Sequence, residues 1–118
     1  MSGVYEGSFS SWEDVCFYFD EAISEPDQVI FAVYDQEMYE GYADVIYRVG
    51  DRFYWASGSH CSCYGLEDQW SPEEYSRDEL VAALLRGRHF WWAADSVAVR
   101  DEVLERVSPE SHSQPGHA

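Results

Sequence analysis

Val29-Ile30-Phe31-Ala32-Val33-Tyr34 reads as a buried strand, and the residues after it turn that strand into a sheet. The run is β-branched, aromatic or alanine with no polar break, the composition of a strand covered on both faces. Asp35 to Gly41 reads as a polar connection. Tyr42 to Val49 and Arg52 to Ser57 then form a second and a third strand. Between them Gly50-Asp51 has the form of a two-residue hairpin turn, with Gly50 supplying the positive φ. With register set by that turn, Val45, Tyr47, Tyr54 and Ala56 share one face, while Asp44, Ile46, Arg48, Phe53 and Trp55 share the other. Both faces are mixed, so helices are expected over one and partial cover over the other.

Working toward the N-terminus, residues 1–9 read as an irregular lead-in. Ser10 and Glu13 have the spacing of a capping box. The helix it opens carries Trp12, Val15, Cys16, Phe19 and Ile23 as one apolar stripe, and Glu25-Pro26-Asp27 ends it. The outer face holds Glu13, Asp14, Phe17, Tyr18, Asp20 and Glu21, which sets two aromatic rings among acids. Toward the C-terminus, Gly58 to Trp70 is a loop, and Ser71-Pro72-Glu73-Glu74 reads as a helix start with proline in the first turn. Ser76 and Glu79 repeat the capping signal, so a short turn is expected before a helix with Leu80, Val81, Leu84 and Leu85 on its apolar side and Gly87 as its cap. His89 to Ala94 fits strand or helix, and Val99, Val103 and Val107 mark a last amphipathic helix from Ser96. The expectation is an α+β fold: a small antiparallel three-stranded sheet with an N-terminal helix and two to three C-terminal helices. Residues 1–107 form a single acidic domain, and residues 108–118 a flexible tail.

The chain has 118 residues, of which 46% are hydrophobic and 17% aromatic. That suffices for one core without a disulfide or metal staple. Twenty-three acids face seven basic residues, every one of them Arg, for a formal charge of −16. Such a field repels phosphate backbones and anionic lipid, so neither nucleic acid nor a membrane surface is expected as a direct ligand. It favours a basic protein partner and fast, salt-sensitive association with it. Solubility alone, or life at high salt, would draw on the same surplus. The N-terminus has no basic segment leading into an apolar run, and no stretch reaches the ~18 apolar residues of a membrane span. With three Cys and no paired framework, a cytoplasmic protein is expected.

The loop Gly58-Ser59-His60-Cys61-Ser62-Cys63-Tyr64-Gly65-Leu66-Glu67-Asp68-Gln69-Trp70 admits three readings. His60, Cys61 and Cys63 are zinc-type ligands, with Cys16 or His89 as a fourth, yet a lone Cys-x-Cys lacks the second pair of a structural zinc site. His60 beside Cys61 could help form a reactive thiolate, but no acidic orienter can be assigned. In the structural reading the cysteines are small buried hydrophobes, Tyr64, Leu66 and Trp70 plug the loop onto the sheet, and Glu67 or Asp68 caps backbone donors. Together with Tyr39-Glu40-Gly41-Tyr42-Ala43, this loop resembles a family of small proteins of tailed bacteriophages and prophages. The resemblance covers about residues 29–85 and is carried by the GSHCSCYGLE-x-QW pattern. It implies a phage-type accessory protein, acting in the host cell cytoplasm, and brings no activity or catalytic residues with it. Asp68 stands where the resemblance expects glycine.

The leading functional reading is an acidic protein-binding module, or inhibitor, directed at a basic, nucleic-acid-binding host protein in the manner of a DNA mimic. Duplex DNA carries a charge about every 1.7 Å of axis, so a mimic needs a dense carboxylate row. Asp14, Asp20, Glu21, Glu25, Asp27, Asp35, Glu37 and Glu40 supply the nearest thing to one, with Phe17 and Tyr18 as apolar anchors. No cofactor, phosphate-binding loop or catalytic set is assigned. The alternatives are a zinc or thiol protein built on His60, Cys61 and Cys63, and a structural phage component.

Overall fold

Strand pairing goes beyond the three strands expected. The computed structural model describes residues 4–37, 40–61, 65–86 and 96–107. Its elements in chain order are β1 (Tyr5–Gly7), α1 (Trp12–Phe19), β2 (Gln28–Glu37), β3 (Glu40–Val49), β4 (Arg52–His60), β5 (Glu73–Tyr75), α2 (Arg77–Leu85) and α3 (Ser96–Val107). The strands form one five-stranded sheet in sequential order. β1 joins β2 in parallel, while β2, β3 and β4 are antiparallel neighbours. The α+β class stands, but the three-stranded sheet is corrected to a five-stranded mixed one. Both added strands are three residues long and have no alternation of their own. Their pairing comes from the longer strand each lies beside.

β1 replaces the expected irregular lead-in. Tyr5, Glu6 and Gly7 pair with Ala32, Val33 and Tyr34, flanked by bonds from Ala32 N–H to the Val4 carbonyl (2.7 Å) and from Ser8 N–H to the Tyr34 carbonyl (2.8 Å). β5 replaces the helix start read at Ser71-Pro72-Glu73-Glu74. The helix instead begins at the second capping signal, where Ser76 and Glu79 form the reciprocal box. The polar connection at 35–41 also shrinks, because β2 runs on to Glu37 and β3 starts at Glu40. Likewise β4 takes Gly58, Ser59 and His60 out of the expected loop.

Register in the central hairpin follows the turn chemistry. Gly50 has φ +62, and Val45 pairs with Ala56, Tyr47 with Tyr54, and Ile46 with Trp55. The two faces are therefore divided as the alternation implies. A register shift at Ile30 leaves Val29 opposite Tyr47 and Phe31 opposite Ile46, so Ala32 and Tyr34 join the first face. Both faces are buried. On the first, Ala32, Tyr34, Ala43, Val45 and Tyr47 pack with Phe9, Trp12, Val15, Phe19 and Leu66. On the second lie Phe31, Ile46, Phe53 and Trp55, with Asp44 the one buried charged residue among those described.

α1 is capped by Ser11, one residue later than expected. The Ser11 hydroxyl accepts from Asp14 N–H, while the Asp14 carboxylate accepts from Ser10 N–H (2.9 Å) and Ser10 Oγ–H (2.7 Å). The helix ends at Asp20 rather than at Pro26. Asp20 takes the left-handed conformation (φ 58), and Glu21 N–H closes onto the Cys16 carbonyl at 3.0 Å. Ile23 therefore leaves the helical stripe, and its carbonyl instead receives the Trp12 indole N–H (3.0 Å) and the Cys16 thiol.

The chain divides into two compact units, residues 1–74 and 75–118. In the second, α2 and α3 bury Leu80, Leu84, Val103 and Val107, and Arg77 Nε–H caps the Val107 carbonyl at 2.7 Å. α3 matches the expected amphipathic helix. Gly87, His89 to Ala94 and the tail lie outside the described residues.

Candidate functional site

Charge divides unequally between the units. Residues 1–74 hold sixteen of the 23 acids but two of the seven arginines. Arg52 forms an ion pair with Glu74 (2.8 Å), and Arg48 donates to the Gln28 side chain (3.1 Å) and the Gly50 carbonyl. The first unit is thus a concentrated negative body.

The ten candidate partner-binding residues do not form one row. Asp27 precedes β2 and Glu37 ends it, so at about 3.3 Å per residue roughly 33 Å of strand separates them. Asp27 is committed to the fold: its carboxylate accepts Gly50 N–H at 2.6 Å, and its own N–H donates to the Arg48 carbonyl at 3.0 Å. At the opposite end of β2, Asp35 is exposed, the register pairs Glu37 with Glu40, and Tyr42 donates to Glu40.

Around α1 the remaining candidates gather. Phe17 is 75% exposed, with Glu13 and Asp14 one turn before it, Asp20 one turn after it, and Glu21 next in the chain. Glu13, Asp20, Glu21 and Glu25 are exposed, and none has a basic side chain as partner among the described residues. Asp14 serves the helix cap, and its bonds to Ser10 hold its carboxyl below the usual range. Burial raises the Tyr5 phenol above its ordinary value, and the charges of Glu25 and Asp14 add to the shift. Acids from two segments therefore converge near β1. Tyr18 is not an equivalent anchor to Phe17. Its ring is half-buried, 6.0 Å from Phe9 and 4.9 Å from Tyr34, while Phe17 touches it edge-on at 5.2 Å. Glu13, read from the sequence as part of this outer face but not among the ten partner-binding candidates, is exposed and belongs with them.

His60 sits over Gly41, its partner across the ladder, where an added Cβ would lie 2.3 Å from His60 Nε2. Nδ1 lies 2.8 Å from the Cys61 carbonyl, which only accepts, so Nδ1 carries the proton. Nε2 is then the acceptor for the buried Tyr34 hydroxyl at 2.6 Å. Both ring nitrogens are thus engaged. Cys61 is exposed, Cys16 bonds to Ile23, and Cys63 lies outside the described residues. Among the described residues no three His, Cys, Asp or Glu side chains converge to hold a metal.

The loop's return is held by a residue to which the sequence reading assigned no role. Gln69 Nε2–H donates to the Ser59 and Gly65 carbonyls, both at 2.9 Å, and its Oε1 accepts Ser59 N–H at 3.0 Å. The side-chain amide copies a strand's pairing with β4. Leu66 is buried and Trp70 stacks on Tyr47 at 5.9 Å, the plugging expected of both. Tyr64 lies outside the described residues. Asp68 has φ 68, so the position where glycine was expected does take the left-handed conformation.

No helix among the described residues is long and apolar enough to cross a membrane. Compared with known proteins, the chain matches no family model, no curated protein and no solved structure.

Proposed function

We propose that the protein is an acidic protein-binding module whose first unit engages a basic partner. The observation that carries this reading is the excess of carboxylates in residues 1–74, with Glu13, Asp20, Glu21 and Glu25 exposed beside no described cation. Self-repulsion of such a body is relieved by a positively charged surface, which also speeds encounter. A nucleic-acid-binding protein is the partner class with the most cationic surface to offer, and a phage-type inhibitor acting in a host cytoplasm is the setting that fits it. Because the acids around α1 form a patch rather than a phosphate-spaced row, recognition rests on that patch and not on imitation of a whole duplex.

The test is affinity capture from lysate of cells that produce the protein, at low and high salt, with wild type and with a variant neutralised at Glu13, Asp20, Glu21 and Glu25 by Gln or Asn. The expected result is a basic protein retained at low salt, released at high salt and lost with the neutralised variant. Capture indifferent to both salt and neutralisation refutes the reading.

A further inference from the structure

We infer that α1 is the inserted element of the complex: Phe17 enters an apolar pocket in a folded basic protein whose rim cations meet Glu13, Asp20 and Glu21. This rests on the acidic-module reading and adds the docking face and the shape of the partner.

The argument starts from what α1 leaves outside. Its inner side is held by Trp12, Val15 and Phe19, all buried, so the helix cannot turn to hide Phe17. A phenylalanine left 75% exposed forgoes most of the roughly 2 kcal/mol that burial returns. Helix propensity does not call for an aromatic ring here, since the bulk of the ring restricts χ1 against the preceding turn. The ring stands on a convex element, where it can be inserted but cannot receive. A flexible peptide crossing it would gain one contact and still pay the cost of ordering, whereas a concave surface surrounds the ring and excludes water. Helix-in-groove recognition has this form, with the present chain supplying the helix.

Charge selects among possible occupants. A second copy would set Glu13, Asp20 and Glu21 against their own equivalents, and nucleic acid would bring phosphate to the same carboxylates. A pocket rimmed by Arg or Lys answers both the ring and the acids. The face is also preorganised: Ser11 caps the start of α1, Asp20 closes its end, and Ile23 receives the Trp12 indole behind it. Binding therefore orders little that is not already ordered.

The experiment places p-benzoylphenylalanine at position 17 of the full chain in producing cells, identifies the cross-linked protein, and titrates it purified against variants. Phe17→Ala is expected to weaken binding about 30-fold or more while Phe17→Leu retains most of it, since a buried aromatic anchor is a typical hot spot. Joint Glu13→Gln, Asp20→Asn and Glu21→Gln is expected to slow association and flatten its salt dependence. Thermal melting of the same variants checks that each is folded, and Asn tolerates the left-handed conformation at position 20. A basic partner that binds Phe17→Ala within threefold of wild type overturns the insertion and leaves the acidic-module reading standing. If no protein binds the full chain in a salt-sensitive way, that reading falls as well. Cross-links only to nucleic acid, or only to a second copy, also overturn the insertion.

Discussion

Replacing Asp44 by alanine probes the one charged side chain that the described core holds. Asp44 is 6% exposed on β3, and its Oδ1 accepts from the Trp55 indole N–H at 2.8 Å and from Ser57 Oγ–H at 2.6 Å. Trp55 is 2% exposed, so its N–H has no route to water once the carboxylate is gone. A buried donor left unmet costs about 1–3 kcal/mol, and a hydrogen bond to a charged acceptor nets about 1.5–3 kcal/mol. Ser57 is exposed and can turn to solvent, so its share is small. Loss of the carboxylate also removes its own desolvation cost, which acts in the opposite sense. The net expectation for Asp44→Ala is a loss of about 2–4 kcal/mol, a large fraction of the roughly 5–15 kcal/mol a domain has. Asp44→Asn keeps an acceptor and is expected to lose about half as much. Paired Asp44→Leu and Trp55→Phe removes donor and acceptor together and is expected to be milder than Asp44→Ala alone. Urea unfolding at neutral pH, followed by circular dichroism, measures all three. An Asp44→Ala protein within about 0.5 kcal/mol of wild type, or a double variant worse than the single, refutes the reasoning.

Three further outcomes follow from the same geometry. Gln69→Glu keeps the acceptor for Ser59 N–H but sets a carboxylate oxygen against two carbonyls now 2.9 Å from Nε2, so it should destabilise more than Gln69→Ala, which is expected to lose about 1–2 kcal/mol. Hydrogen exchange at the Ser59 amide, which donates to Gln69 Oε1, reports it, and protection equal to wild type in both variants counts against the clip. Gly41→Ala drives the imidazole of His60 off its site and strips the Tyr34 hydroxyl of its acceptor, at about 1–3 kcal/mol; in a His60→Ala background most of that cost should vanish, as a double-mutant cycle by denaturation will show. Burial, with Tyr54 beside it, pushes the Tyr47 phenol up to about 12 from an ordinary 10.0. The unfolded chain therefore loses this proton first, and the contribution is whole below about pH 10 and lost as pH rises toward 12. Alkaline unfolding should shift upward in Tyr47→Phe, and an unchanged profile argues against the burial.

Legibility tracked the range of the interaction involved. The β3–β4 pairing was readable because alternation and a two-residue glycine turn are local, and a one-residue slip would have exchanged the faces. The Ser76–Glu79 box was readable for the same reason. Two equivalent signals misled, at Ser10–Glu13 and at Ser71-Pro72-Glu73-Glu74. A serine three residues before a glutamate is only a possible cap, and which one is used depends on where the neighbouring chain already lies. On the candidate face, the outward position of Phe17 was visible in the helical period. That Tyr18 is packed between rings, and that Asp14 and Asp27 are spent on a cap and a turn, was not.

Taken alone, the amino-acid sequence determined the α+β class, the hairpin register, the Ser76–Glu79 cap and the excess of negative charge. Each of these depends on neighbours within a turn or a hairpin. The helix stripes it drew were cut short at Ile23, outside α1, and at Leu85, 60% exposed. Tertiary structure decided the two short outer strands, the early stop of α1 at Asp20, the Gln69 clip, and which acids share a face. The outer strands and the clip need partners 10 to 30 residues away, such as Ser59 for Gln69 and Tyr34 for Gly7, whereas the stop of α1 is closed locally by Glu21 N–H on the Cys16 carbonyl. Backbone edges and side-chain amides take such partners wherever folding delivers them, and no local pattern announces the choice.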